Sequence, residues 1–180
     1  MVEYLCWVDE EDNLIGRASR EECHSKRLIH RSVYIFVLNS EGKLLLQKRS
    51  MSKDLYPGYY TGSATGHVDY GESYEEAAHR ELKEELGIDG QLHYLGKFRT
   101  VSKEENEISA LYVMLFDGEF EFNKEEITEC LFEDIDEVKR DIEYSLKLFA
   151  PGFKIAFKEF EKALNKNEPW TKKLRAIKRN

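Results

Sequence analysis

A helix with both of its ends written into the sequence constrains this chain most. It lies within Gly66-His67-Val68-Asp69-Tyr70-Gly71-Glu72-Ser73-Tyr74-Glu75-Glu76-Ala77-Ala78-His79-Arg80-Glu81-Leu82-Lys83-Glu84-Glu85-Leu86-Gly87-Ile88. Ser73 with Glu76 three residues later is a capping box, and Gly87 stops the helix. Ala78, Leu82 and Leu86 repeat at helical spacing and give an apolar stripe that must be buried. Glu81, Glu84 and Glu85 stand at i, i+3 and i+4, so three carboxylates converge beside that stripe.

Like charges so placed repel, and a solvated helix gains nothing from clustering them. A site for Mg²⁺, with Mn²⁺ as the alternative ion, reverses the sign, because hard cations take carboxylate oxygens and bridge to substrate phosphates. Two such ions about 3.5–4 Å apart would polarise phosphorus and acidify an attacking water. Arg80 can pair with Glu84 and reach Glu72, which predicts that it holds a ligand carboxylate in one rotamer. The competing reading is an ordinary charged face. In a chain with 35 acidic and 27 basic residues, three glutamates taken alone would favour it.

At 180 residues the chain suits one domain, residues 1–180, rather than two. Hydrophobic residues make up 41% and charged residues 34%, a globular composition. No apolar run approaches the roughly 18 residues of a membrane span, and the start Met1-Val2-Glu3-Tyr4 is unlike a secretory signal. The expectation is therefore a cytoplasmic protein with no membrane partner. A net charge of −8 argues against nucleic acid and leaves a small phosphorylated molecule as the expected partner. Cys6, Cys23 and Cys130 are scattered and read as reduced thiols.

Along the chain, Tyr4–Val8 and Leu14-Ile15 read as a hairpin, and Ser19–Ser25 as a short capped helix. Together these form an N-terminal extension over residues 1–30. Val33–Leu38 and Lys43–Gln47 are apolar strands joined by the turn Asn39-Ser40-Glu41-Gly42. Lys48–Gly58 is a basic loop. Tyr59–Gly62 and Ala64–Val68 read as short strands, and Leu92–Arg99 and Ile108–Phe116 as further strands. Val138–Leu148 and Phe153–Leu164 read as helices with Pro151-Gly152 between them, and residues 165–180 as a fraying basic tail. Strands surrounding one central helix predict an α/β sandwich rather than a doubly wound sheet.

The spacing from Gly66 to Gly87 resembles the box of the Nudix family: Gly, five residues, Glu, seven residues, then Arg-Glu-apolar-x-Glu-Glu-x-Gly-apolar. Every fixed position is filled. Seven fixed residues fall into such a spacing by chance on the order of 10⁻⁸ per start position, and glutamate richness raises that by roughly tenfold to a hundredfold. The resemblance implies an α/β/α sandwich with a mixed sheet and one central catalytic helix. It implies a hydrolase acting on diphosphate linkages. It also implies divalent metal held by Gly66 (through its carbonyl), Glu81, Glu84 and Glu85, with Glu81 or a later glutamate as the base for water.

A wider similarity runs from about Asp9 to Pro151. Cys23-His24 through His30-Arg31, Gln47-Lys48-Arg49-Ser50, Lys53, Tyr56-Pro57-Gly58, Ser63-Ala64-Thr65-Gly66-His67 and Glu105-Asn106-Glu107 resemble the isopentenyl-diphosphate isomerase branch. By that resemblance Arg49 and Lys53 are cations for a diphosphate, with two solvated loop charges as the alternative, and His67 touches metal or phosphate, with a hydrogen-bonded structural histidine as the alternative. Glu105 and Glu107 alternate just ahead of a strand and read as extra ligands or substrate contacts, as the base, or as a solvated strand entry. His24 and His30 resemble the branch's N-terminal histidines at a spacing one residue short, so no metal role is carried over to them. Tyr56, Tyr59 and Tyr60 read as core or as stacking rings, and Glu125, Glu126 and Glu129 as an acidic ligand or a charged cap ahead of a helix. Two departures argue against isomerase chemistry itself. Thr65 stands where the branch has its proton-transferring cysteine, and Gly152 where it has a cation-stabilising tryptophan after the proline. A hydrolase is expected, with the isomerase and a non-catalytic ligand-binding module as the alternatives.

Overall fold

The computed structural model describes residues 2–166 and 168–172. Its first strands, β1 (Tyr4–Val8) and β2 (Leu14–Ser19), form an antiparallel hairpin that leads into α1 (Arg20–Ser25). The Ser19–Glu22 capping box is formed as the sequence predicts. There follow β3 (His30–Leu38), β4 (Leu44–Arg49), β5 (Tyr60–Thr61) and β6 (Ala64–His67), then α2 (Tyr74–Leu86). The chain continues through β7 (His93–Val101), β8 (Asn106–Leu115), β9 (Ile127–Glu133), α3 (Ile135–Glu143) and α4 (Pro151–Leu164).

Strand β3 organises the sheet. It runs parallel to β8, pairing His30 with Glu107 and Leu38 with Leu115, and antiparallel to β6, pairing Ser32 with His67 and Tyr34 with Thr65. Both of its faces are covered, which is why its sequence is a nearly unbroken apolar run. Val33, Ile35 and Val37 pack with Ala78, Leu82 and Leu86 of α2 on one side. Tyr34, Phe36 and Leu38 pack with Phe153, Phe157 and Phe160 of α4 on the other. The mixed sheet with helices on its two faces is the α/β architecture expected. β3 meets β4 only at Leu38–Leu44, so the two strands diverge toward their other ends, where β6 lies beside β3 and β5 beside β4.

Four sequence expectations are corrected. β9, antiparallel to β4, was not anticipated, because its Glu129 and Glu133 break the apolar pattern that marks a strand. The helix read over 138–148 begins earlier and ends at Glu143. Ser145 then takes a positive φ of 54°, and Leu146 and Leu148 are exposed. Pro151 and Gly152 are no linker: they are the first turn of α4, where proline's missing N–H costs no hydrogen bond. The tail does not fray where it is described. Trp170 is buried and stacks on Phe160, while residues 173–180 lie outside the described residues. Among the described residues no helix is long and apolar enough to cross a membrane.

Candidate active site

Two groups of side chains meet in one cleft, and helix α2 supplies the first. Ser73 caps it, Gly87 closes it at φ 65°, and its apolar stripe fixes its rotation on the sheet. That rotation turns Glu81 and Glu85 toward β6, where both are buried. Gly66 makes the approach sterically allowed, since a Cβ there would lie 1.9 Å from Glu81 Oε1. Glu85 Oε2 accepts hydrogen bonds from the Thr65 backbone N–H at 2.9 Å and from Gln47 Nε2 at 2.8 Å. Burial, with Glu85 alongside, pushes Glu81 up to about 8, and burial raises Glu85 as well. Glu84 differs: its side chain is 59% exposed at the rim of the cleft.

Arg80 does what its spacing predicts. It donates to both oxygens of Glu72 at 2.9 and 3.0 Å, to Glu81 Oε1 at 2.6 Å and to Glu84 Oε2 at 3.2 Å. A further bond at 2.9 Å reaches the His67 carbonyl, which ties the helix to β6. The guanidinium therefore orients carboxylates and does not face solvent as a free cation.

Across the cleft lies a cluster that the sequence reading left apart. His24 from α1, His30 from β3 and His67 from β6 place ring nitrogens within 4.8 Å of one another. Glu107 of β8 joins them, its Oε1 3.5 Å from His30 Nε2 and 3.6 Å from His67 Nε2. His30 Nδ1 is engaged by the Leu28 carbonyl at 2.9 Å and His24 Nδ1 by the Glu104 carbonyl at 3.2 Å. Both Nε2 atoms are buried without a hydrogen-bond partner. One ring nitrogen anchored and the other bare is the arrangement of an imidazole prepared to bind metal. The one-residue shift in histidine spacing does not prevent convergence, because α1 ends and the chain turns before β3 begins.

The electrostatics of this half follow from the same contacts. Burial opposes ionisation of Glu107, yet the His30 and His67 imidazoles beside it outweigh that and hold its carboxyl well below the ordinary range. Burial likewise opposes charge on His67, but Glu107 and Glu3 raise it to about 9. Glu105, two residues from Glu107 on the same face, is pushed up to about 7 by burial and by Glu107. Tyr56 packs against the core beside α4, and from a backbone at φ 50° its hydroxyl donates to Glu105 Oε2 at 3.1 Å.

Gly66, His67, Glu81, Glu84, Glu85, Glu105 and Glu107 line a cavity of about 780 Å³, together with Arg49 and Lys53 from the basic loop. Arg49 Nε is held by the Leu55 carbonyl at 2.9 Å, and Lys53 pairs with Glu126. Glu129 instead accepts from the Tyr60 hydroxyl, and Glu125 is exposed. Sequence reasoning missed Glu3, which sits 3.5 Å from His67 Nδ1, and Arg20, which lines the cavity and binds Asp54 at 2.8 Å. Neither carries a local signal, because only tertiary packing of the hairpin brings them in.

Known proteins resemble this arrangement at several levels. The family model described as NUDIX domain matches residues 28–151. A Serratia proteamaculans protein named isopentenyl-diphosphate delta-isomerase is 34% identical over 177 residues, 96% of this chain and 98% of that one. An uncharacterized Nudix hydrolase of Pseudomonas aeruginosa is 39% identical over 131 residues, 72% of this chain and 78% of its own. A crystal structure of a Deinococcus radiodurans protein superposes with a TM-score of 0.73 at 27% identity, covering 87% of this chain and 98% of that chain.

Proposed function

Because the chain belongs to the NUDIX domain family, we propose that it is a Mg²⁺-dependent hydrolase that cleaves the diphosphate linkage of a nucleoside diphosphate derivative or a related organic diphosphate. The observation that carries this reading is the burial of Glu81 and Glu85 against Gly66 at the wall of the cavity. Three acidic side chains and a backbone carbonyl there form a hard-oxygen donor set suited to Mg²⁺ or Mn²⁺. A divalent ion in that set would neutralise the diphosphate and lower the pKa of water. Glu81, Glu84, Glu85 and the Gly66 carbonyl would hold it, and Arg80 keeps two of those carboxylates in place.

The second donor set, His24, His30, His67 and Glu107, fits a divalent ion that accepts imidazole nitrogen, such as Zn²⁺ or Mn²⁺. Its two bare Nε2 atoms support that fit. Arg49 and Lys53, which line the same cavity, would serve as cations for the phosphates. Glu81 or Glu105, both buried on the cavity wall, would take the proton of the attacking water.

A second reading is isomerisation of a prenyl diphosphate, favoured by the histidine cluster and by the Serratia relative's name. Thr65 argues against it. Its residue offers the cleft a backbone N–H bound to Glu85 and a hydroxyl, with no thiol to trade protons with carbon. Among the described residues the free cysteines are Cys6, Cys23 and Cys130, and none lines the cavity. Phosphate release from nucleotide sugars, dinucleotides, nucleoside triphosphates and prenyl diphosphates, with Mg²⁺ or Mn²⁺, tests the hydrolase directly. We expect turnover of at least one nucleoside diphosphate derivative. Turnover of none, with metal bound, would favour a ligand-binding module.

A further inference from the structure

The three converging imidazoles are anchored unequally. His30 Nδ1 is held by the Leu28 carbonyl and His24 Nδ1 by the Glu104 carbonyl, both groups of the backbone. Among the described residues no carbonyl takes that role for His67. The group at its Nδ1 is the Glu3 carboxylate, with Oε1 at 3.5 Å. Glu107 stands on the other side of the ring, 3.6 Å from Nε2, and also lies 3.5 Å from His30 Nε2. Glu3 therefore sits behind the imidazole, and Nε2 faces the cluster.

Tertiary contacts hold Glu3 in that place, just ahead of β1. Its carbonyl accepts from the Arg20 backbone N–H at 3.0 Å, and the carbonyl of Tyr4 accepts from the Tyr70 N–H at 2.8 Å. The second carboxylate oxygen, Oε2, lies 3.9 Å from Arg20 Nε. Arg20 is itself fixed, through Nη2, on Asp54 Oδ2 at 2.8 Å. Backbone and guanidinium thus aim the carboxylate at His67, along a wall of the cavity that Glu3, Arg20 and Asp54 all line.

We propose that Glu3 is the positioning residue of His67: its carboxylate accepts a hydrogen bond from Nδ1–H, which keeps Nε2 bare and turned toward Glu107. The inference rests on the reading of His24, His30, His67 and Glu107 as a metal site. It adds a group that touches neither the ion nor the substrate. A carboxylate behind a metal-binding imidazole fixes its tautomer and makes it a more basic ligand, and losing such a partner typically costs about 10–100-fold in metal affinity. It also gives a function to a residue that precedes the family-matched segment, which starts at residue 28.

The test is the Zn²⁺ affinity of the full chain, measured by chelator competition with excess Mg²⁺ present to occupy the glutamates of α2. Glu3→Ala should weaken Zn²⁺ binding by about 10–100-fold, and Glu3→Gln, which keeps an acceptor oxygen without the charge, by less. The same Glu3→Ala change in a His67→Ala background should have little further effect, because the ring it serves is gone. That coupling separates positioning from a general effect of charge or folding, either of which would persist without His67. Unchanged affinity in Glu3→Ala, or an equal loss in both backgrounds, overturns the inference. Should Glu3→Ala not fold, Glu3→Gln carries the same cycle. A wild type that binds no Zn²⁺ refutes the metal reading of the cluster, and the inference with it. No turnover is measured, so the result does not depend on which diphosphate the protein cleaves.

Discussion

Glu84 and Glu85 are neighbours in sequence, yet they occupy different environments, and a mutational comparison should reveal it. Glu81→Gln and Glu85→Gln each remove a buried charge from the wall of the cleft. Each should lower turnover by about 10²–10³-fold, the usual effect of losing a preorganised group that stabilises transition-state charge. Glu84, at the rim and shared with Arg80, should cost roughly tenfold when changed to Gln. Steady-state rates at saturating Mg²⁺ check this, and near-normal turnover of Glu85→Gln would remove its assignment. The spacing of the glutamates announced their convergence, but their unequal burial depends on β6, which lies across the helix. Thr65 bears a separate prediction. Isopentenyl diphosphate incubated with the protein and Mg²⁺ in D₂O should show no enzyme-dependent deuterium uptake by proton NMR. Loss of an acid–base group typically removes about 10²–10⁴-fold, and Thr65→Cys alone should not restore exchange, because Gly152 brings no ring to steady a cation. Exchange by the wild type would make the protein an isomerase.

At the scale of elements, α2 was the most legible part of the chain. Its capping box, stripe and left-handed glycine are local, and each is formed as read. Ser73→Ala removes the side chain that accepts the Glu76 N–H, and should cost about 1 kcal/mol of stability, read as an equal loss in chemical denaturation. A change well under that would show that packing alone holds the helix start. Gly66→Ala acts between elements: its methyl meets the Glu81 carboxylate, so the variant should fold but lose most of its turnover. Retained activity would mean that α2 can withdraw from β6 without consequence. β9 was illegible for the opposite reason. It is held by pairing with β4, from Leu44 opposite Glu133 to Arg49 opposite Ile127, and its own glutamates disguise it. Likewise, the meeting of His30 with Glu107 is a matter of parallel register between β3 and β8, which no local pattern encodes.

For the molecule as a whole, the cleft brings many carboxylates together, and their mutual repulsion is part of what folding must overcome. Divalent ions that bind only the folded form should therefore stabilise it. At 100 times the dissociation constant the gain is about 2.7 kcal/mol, or roughly 5–10 °C in melting temperature for a chain of this size. Titrating MgCl₂ or MnCl₂ into metal-stripped protein, against NaCl of equal ionic strength, measures the shift. No metal-specific shift would return the glutamates to an ordinary solvated face. The family assignment was readable from the sequence because its motif is contiguous. The cavity was not, because its walls come from positions as distant as Glu3 and Glu126.

The hairpin and α1 precede the segment that the family model matches, which starts at residue 28. This N-terminal segment nevertheless supplies Glu3 and Arg20 to the cleft and His24 to the histidine cluster beside it. A protease cut in the turn between α1 and β3 would leave a fragment still recognisable by its motif, with an intact glutamate helix and one imidazole fewer. Preparations clipped there would carry the family's signature while lacking a wall of its binding chamber. Intact mass is thus a prerequisite for interpreting any negative substrate screen, and a purification handle is better fused to the far end of the chain.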